Sequence, residues 1–187
     1  MENYTERQGH GFKYEDEVIN RYHLTAESNY TAKWDAYFKG IPVSIKTCKK
    51  GSVVYMGDFY RNAEITHSFI LIIGFYEDIQ NNKVFDEDLV LYINKGLWLE
   101  QFPSVAVEAM RTVFDGVTNS YDDDNLWAMR KNAYNNYWDC YGTGIKINFK
   151  RDHDKQKRTQ CSIRKNFLEN VLIPYYKISL DELYVDL

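Results

Sequence analysis

Residues 34–47, Trp34-Asp35-Ala36-Tyr37-Phe38-Lys39-Gly40-Ile41-Pro42-Val43-Ser44-Ile45-Lys46-Thr47, constrain the fold most, because they alternate in polarity on both sides of Lys39-Gly40. A two-residue turn there makes a β-hairpin in which Phe38 faces Ile41, Ala36 faces Val43 and Trp34 faces Ile45. One face of the hairpin is then wholly apolar. The same register sets Asp35 opposite Ser44 on the other face, with Lys46 one step along it. Opposed Cβ atoms lie about 5 Å apart and diagonal ones about 7 to 8 Å. A carboxylate and an ammonium at that spacing on a rigid sheet are suited to hold a divalent cation and a phosphate together. A three-residue loop would instead pair Asp35 with Val43 and turn the polar set into the core, which the apolar matching opposes. An ordinary half-exposed hairpin fits the same pattern, so the rest of the chain has to decide.

A chain of 187 residues suits a single domain that buries about 70% of its unfolded surface without staples. Sixteen Tyr and ten Phe against three Pro argue for a rigid, ring-rich core rather than disorder. The net charge of -4 removes any argument from global basicity, so cations matter only where they cluster. Cys48, Cys140 and Cys161 cannot all pair, and the polar start Met1-Glu2-Asn3-Tyr4 does not resemble a signal peptide. A reduced, cytoplasmic protein is expected. The apolar run Phe69–Tyr76 is far short of the roughly 20 residues that span a bilayer and reads as a buried strand, so no membrane role is expected.

In chain order, Gly9-His10-Gly11 reads as flexible. The spacing of Phe12, Tyr14, Val18, Ile19 and Tyr22 predicts a helix over 12–23. Asp16 and Glu17 suit the macrodipole of its first turns, whereas Glu15 shares the stripe of Ile19 and Tyr22 and leans toward whatever the helix packs on. A strand over 29–33 leads into the hairpin. A basic turn at Cys48-Lys49-Lys50-Gly51 precedes a strand over 52–56, Gly57-Asp58 and a short helix over 59–65. The buried strand over 68–76, a polar turn over 78–83, a strand over 88–93 and a break at Lys95-Gly96 follow.

Pro103-Ser104 opens a helix that ends at Asp115-Gly116. Asp122-Asp123-Asp124 caps another helix carrying Leu126, Trp127, Tyr134 and Trp138, since capping fits a helix start better than a metal site with no further ligand spacing. Gly142-Thr143-Gly144 then leads to a strand over 145–149. Cys140 reads as core and Cys161 as strand, because their spacing with His153 is unlike that of zinc modules. His10, His23 and His67 show no partner pattern and suit surface or packing roles. A short helix over 167–172 ends at Pro174, and the tail 178–187 packs back on the domain.

From Lys146 to Lys165 the chain carries eight Lys or Arg against two Asp. Lys150, Arg151, Lys155, Lys157, Arg158, Gln160 and Arg164 are the candidates there for contact with DNA. Gln156, Thr159, Gln160 and Ser162 add hydrogen-bonding groups of the kind that reach phosphates and base edges. A solvated basic loop is the alternative.

Hydrolysis of a phosphodiester by a divalent cation needs carboxylates to hold the ion and a Lys near the attacking water or the scissile phosphate. Asp35, Asp58, Glu15 and Lys46 supply these types, and Mg²⁺ suits oxygen donors with several retained waters. No Walker-type phosphate loop or Gly-Xaa-Ser-Xaa-Gly elbow is present in the sequence.

The order of a helix with Glu, in Gly11-Phe12-Lys13-Tyr14-Glu15-Asp16-Glu17-Val18, then Trp34-Asp35, then Ser44-Ile45-Lys46 resembles the PD-(D/E)XK superfamily of Mg²⁺-dependent nucleases, which includes many type II restriction endonucleases. The resemblance covers roughly residues 9–76. A weaker likeness to late segments of some restriction endonucleases rests on Gln160-Cys161-Ser162-Ile163 after Lys and Arg. No Pro precedes Asp35, and Ser44 stands where the triad usually has an acid. Some restriction endonucleases share the Ser-Xaa-Lys arrangement and place the acid further along the chain. By that resemblance Asp58 is the candidate for the displaced acid, with Glu64 as second choice.

The resemblance implies an α/β, restriction-endonuclease-like core, a mixed central β-sheet flanked by helices, with an added helical segment. The whole of 1–187 is then one nuclease domain, its core about 9–95 and 144–187 and its helical insertion about 97–140. The implied catalytic set is Glu15, Asp35, Ser44, Lys46 and Asp58, with Asp35, Asp58 and Glu15 on Mg²⁺. The implied activity is cleavage of double-stranded DNA, as a homodimer matched to a palindromic site. A structure-selective or repair nuclease of the same superfamily, or an inactive DNA-binding module, are the rival readings.

Overall fold

The computed structural model describes residues 4–27, 32–80, 82–118, 124–151 and 157–181. In chain order these form α1 (Tyr4–Arg21), β1 (Thr25–Ala26), β2 (Ala36–Phe38), β3 (Ile41–Lys49), β4 (Val54–Asp58), α2 (Phe59–Ala63), β5 (Phe69–Ile79) and β6 (Asn82–Ile93). Then come α3 (Lys95–Glu100), α4 (Ser104–Thr118), α5 (Asp124–Asp139), β7 (Ile145–Arg151) and β8 (Lys157–Ile163). The last helical run is α6 (Lys165–Phe167), a π-helical stretch over Leu168–Leu172, and α7 (Ile173–Tyr176). The fold class is α/β, with a mixed five-stranded sheet ordered β1-β2-β3-β5-β6 and a separate three-stranded sheet ordered β4-β8-β7. The chain divides into two compact units, Met1–Val54 with His67–Asn94 and Lys165–Leu187, and Tyr55–Thr66 with Lys95–Arg164.

In the first unit the hairpin forms in the register its polarity predicts, Phe38↔Ile41, Tyr37↔Pro42 and Ala36↔Val43. Lys39 at φ 48° and Gly40 at φ 83° both turn left-handed, the geometry whose twist matches that of the flanking strands. β3 runs parallel to β5, and β5 antiparallel to β6. Helix α1 lays Tyr14 and Val18 against Ala36, Phe38, Val43, Ile45, Ile70 and Ile72. Each fully buried aliphatic side chain contributes about 1.5 to 3 kcal/mol, so this face anchors the hairpin. The apolar run is the buried strand expected: Phe69 through Ile73 have no exposure at all.

Several expectations are corrected. Helix α1 begins at Tyr4 and runs through Gly9-His10-Gly11, and it stops at Arg21 because His23 turns left-handed at φ 51°. The Leu24 N–H there returns to the Ile19 carbonyl at 2.9 Å, a Schellman-type closure. The strand placed over 29–33 lies outside the described residues up to position 31, and Ala32-Lys33 bend rather than pair. Among its described residues the polar stretch 78–83 turns only at Gln80, at φ 50°, and is otherwise strand, paired as far as Ile79↔Asn82. Its charges are met on the sheet: Lys49 reaches Asp78 at 2.7 Å, Lys50 reaches Glu77 at 3.2 Å and also Asp86, and the Lys83 ammonium lies 4.6 Å from the Tyr76 ring centre.

Lys95-Gly96 opens helix α3 instead of a break, and α4 continues past Asp115-Gly116 to Thr118. Pro174 does not end the last helix. The run passes through it to Tyr176, because the wider turn before it bonds the Ile173 N–H to the Leu168 carbonyl. The tail packs back as far as it is described, with Leu180 in the core and the Ile178 N–H on the Val90 carbonyl at 3.0 Å.

In the second unit, α3, α4 and α5 accompany the β4-β8-β7 sheet. β7 and β8 pair antiparallel from Ile145↔Ile163 to Arg151↔Lys157, so the strand expected over 145–149 extends to Arg151 and much of the basic stretch is strand rather than the alternative, a solvated loop. Ile145, Ile147, Phe149, Thr159, Cys161 and Ile163 are buried, as the alternation requires. Trp138 of α5 is fully buried and donates its indole N–H to the Ile145 carbonyl at 2.9 Å. Cys161 is a buried strand residue as expected, whereas Cys140 is exposed rather than core, because α5 turns Trp138 inward instead. Asp122 and Asp123 lie outside the described residues, and Asp124 is in the first turn of α5.

Candidate active site

Asp35 sits where β2 stops. Its N–H still bonds the Val43 carbonyl at 3.0 Å, but its carboxylate Oδ2 accepts from the Ile45 N–H at 2.6 Å. In a continued ladder that N–H would go to the carbonyl of Trp34. The side chain therefore replaces the backbone, the strand bends, and Trp34 leaves the face of Ile45. Its ring packs on His67 and Phe69 at 5.3 and 5.2 Å between centroids, which corrects the expected Trp34–Ile45 pair and gives His67 its packing role.

The same oxygen accepts from the Ser44 hydroxyl at 3.3 Å and from the Lys46 ammonium at 3.1 Å. The polar face read from the hairpin thus comes together as one cluster. Lys46 also donates to the Ile45 carbonyl at 2.9 Å. Its ammonium rests in a cradle of two oxygens, Asp35 Oδ2 and Ile45 O, with both side chains about one-quarter exposed, 25% for Lys46 and 24% for Asp35. The backbone carbonyl carries no sequence signal and was not foreseeable from residue types.

Glu15 reaches this cluster electrostatically from α1. Burial raises its pKa above the ordinary 4.5, the Asp35 carboxylate raises it further, and the Lys46 ammonium opposes both. Asp16 and Glu17 point to solvent. Glu15, Asp35, Ser44 and Lys46 are accordingly grouped within the first unit.

Asp58 belongs to the second unit. Its Oδ1 accepts the Arg61 N–H at 2.8 Å, capping α2, and its carbonyl accepts from the Asn62 amide at 2.7 Å. Glu64 pairs with Arg111 at 3.0 Å. Among the described residues, no three His, Cys, Asp or Glu side chains stand close enough together to hold a metal ion. The donor set of the hairpin still suits Mg²⁺, which binds through one or two carboxylates and keeps several waters, and a cation, the ammonium, already rests between two of its oxygens.

Of the residues assigned to DNA, Lys150 and Gln160 lie on β7 and β8, half-buried. Arg164 is structural: it pairs with Asp139 and donates to the carbonyls of Thr143 and Ile145 at 3.1 and 3.2 Å. Lys155 and Gln156 lie outside the described residues, as do the side chains of Arg151, Lys157 and Arg158. Thr159 and Ser162 are buried, and so poorly suited to phosphates. Alternation along β7 puts Lys146 and Asn148 on the same side as Lys150, whose ammonium lies 5.2 Å from the Tyr55 ring centre. Among the described residues, no helix is long and apolar enough to cross a membrane. Comparison with family models, with curated proteins and with solved structures finds no match for the chain.

Proposed function

We propose that the protein is a Mg²⁺-dependent endonuclease that hydrolyses phosphodiester bonds in duplex DNA, in the manner of a type II restriction endonuclease built on a restriction-endonuclease-like core. The observation that carries this reading is the shared grip of the Asp35 carboxylate and the Ile45 carbonyl on one ammonium, with Glu15 raised in pKa beside them. Asp35, the Ile45 carbonyl and Glu15 would hold the cation. When bound, Mg²⁺ supplies charge to the phosphate and acidifies a water. Ser44 and the Ile45 N–H fix the rotamer of Asp35, and Lys46 brings the ammonium that neutralises the phosphate as charge develops. Water attacks phosphorus, one new P–O bond forms as the bond to a sugar oxygen breaks, and the departing oxygen takes up a proton. A cytoplasmic homodimer matches two-fold DNA sites.

A DNA-binding module without catalysis is the second reading, favoured by Ser44 at the usual position of an acid. One gel separates them. Phage DNA incubated with wild type and Mg²⁺ should give discrete fragments, while Asp35→Ala and Lys46→Ala should leave it intact. Intact DNA with the wild type overturns the nuclease reading, and a smear in place of discrete bands overturns sequence-specific restriction.

A further inference from the structure

One side of the β4-β8-β7 sheet, exposed at Lys146 and half-buried at Asn148, Lys150 and Gln160, has the layout of a groove-reading ribbon. Along this side β7 carries Lys146 and Lys150, and neither β7 nor β8 has a carboxylate in its sequence, within a chain whose net charge is -4. At the centre of the ribbon Asn148 lies directly across from Gln160. The Asn148 amide donates to Ser162 Oγ at 3.0 Å, which holds it in one orientation, and Gln160 is half-buried beside it. Lys146 and Lys150 flank this pair along β7, four residues apart, which is about 13 Å at strand rise. The major groove of B-DNA is about 12 Å wide and admits a two-stranded ribbon. Lys150 is further held by Tyr55 of β4, a residue 49% exposed whose ring is centred 5.2 Å from the ammonium. The opposite side, with Ile145, Ile147 and Phe149, is buried, so the ribbon is mounted on a rigid core.

We infer that the β7–β8 ribbon enters the major groove of duplex DNA, with Gln160 and Asn148 at base edges and Lys146 and Lys150 on the phosphates to either side. Carboxamides suit adenine, whose major-groove edge offers one acceptor and one donor. The inference deepens the nuclease reading and rests on it for the choice of duplex, but it concerns binding and is tested without cleavage.

The probe is a pool of duplexes with a randomised core, incubated with full-length protein in the absence of divalent cations. Wild type should select a sequence preference and shield guanine N7, in the major groove, from methylation. Gln160→Ala should relax the preference at one base-pair position by about 5- to 150-fold, the worth of a bidentate amide contact. Lys146→Ala, at an exposed position, should weaken all sequences alike and leave the preference unchanged. An unchanged preference in Gln160→Ala, protection confined to minor-groove adenine N3, or tighter binding of single strands or RNA than of duplex overturns the inference. Cleavage with Mg²⁺ is scored separately. Discrete fragments unaltered by Gln160→Ala would sink the ribbon and leave the nuclease standing, whereas ribbon-dependent binding without cleavage would do the reverse.

Discussion

Glu15 shows at the scale of one residue how a site costs stability. Its carboxyl is partly buried and feels the charge of Asp35, so folding favours its protonated form. The sign follows from linkage: with the folded pKa above the unfolded 4.5, the favourable contribution is complete below pH 4.5 and is lost as pH rises through the folded value. At neutral pH the ionised carboxylate therefore works against the fold. Glu15→Gln should raise the melting temperature at pH 7 and leave it nearly unchanged at pH 4, while abolishing Mg²⁺-dependent cleavage. Thermal melts at the two pH values, beside a digest, check this, and a destabilised variant at pH 7 would mean that Glu15 has a favourable partner. The grouping of Glu15 with Asp35 and Lys46 was legible in the sequence, because helical spacing puts Glu15 on the packed stripe and strand alternation puts the other two on one face. The Ile45 carbonyl was not, since every residue has one.

At the scale of elements, what was legible is what local pattern decides. The Lys39-Gly40 turn and matched apolar rungs leave the hairpin one register, whereas β4, β7 and β8 are short strands whose sequences do not say which sheet they join. Charged residues at 77–87 hid strand pairing, because their stabilisation comes from Lys49, Lys50 and Lys83, far away in sequence or across the ladder. Gly74 is a sharper case. A Cβ there would overlap the ring of Tyr14, which is buried, stacked on Phe85 at 4.3 Å and bonded through its hydroxyl to Asp88. The ring cannot yield cheaply, so Gly74→Ala should destabilise the protein by about 1 to 3 kcal/mol in urea titrations, the usual cost of overpacking. Asp58 was ambiguous for a physical reason: an acid between a strand and a helix serves equally as a cap or a ligand. Asp58→Ala should cost about 1 kcal/mol through removal of the cap, and Asp58→Asn, which still caps, should restore it. Loss of cleavage in Asp58→Asn at full stability would assign the carboxylate to the chemistry.

For the whole molecule, the opposition between a net charge of -4 and the basic stretch from Lys146 to Lys165 sets how it meets a polyanion. Acidic groups elsewhere outweigh the patch in sum, but charges more than about 8 Å away are largely screened at physiological salt. Near contact the patch dominates, and at low salt the overall negative charge works against encounter. Register brings Lys150 opposite Arg158, a rung with a basic residue on both strands. Like charges on one rung weaken pairing, so a phosphate brought to that rung relieves repulsion as well as supplying attraction. Duplex binding should accordingly fall linearly in log K against log salt. The double variant Lys157→Ala/Arg158→Ala should bind more weakly, with a slope shallower by about 0.9 for each phosphate it no longer neutralises. Fluorescence anisotropy with a labelled duplex across a salt series gives both quantities. A slope identical to the wild type would remove these two residues from the DNA interface and leave Lys146 and Lys150 to carry it.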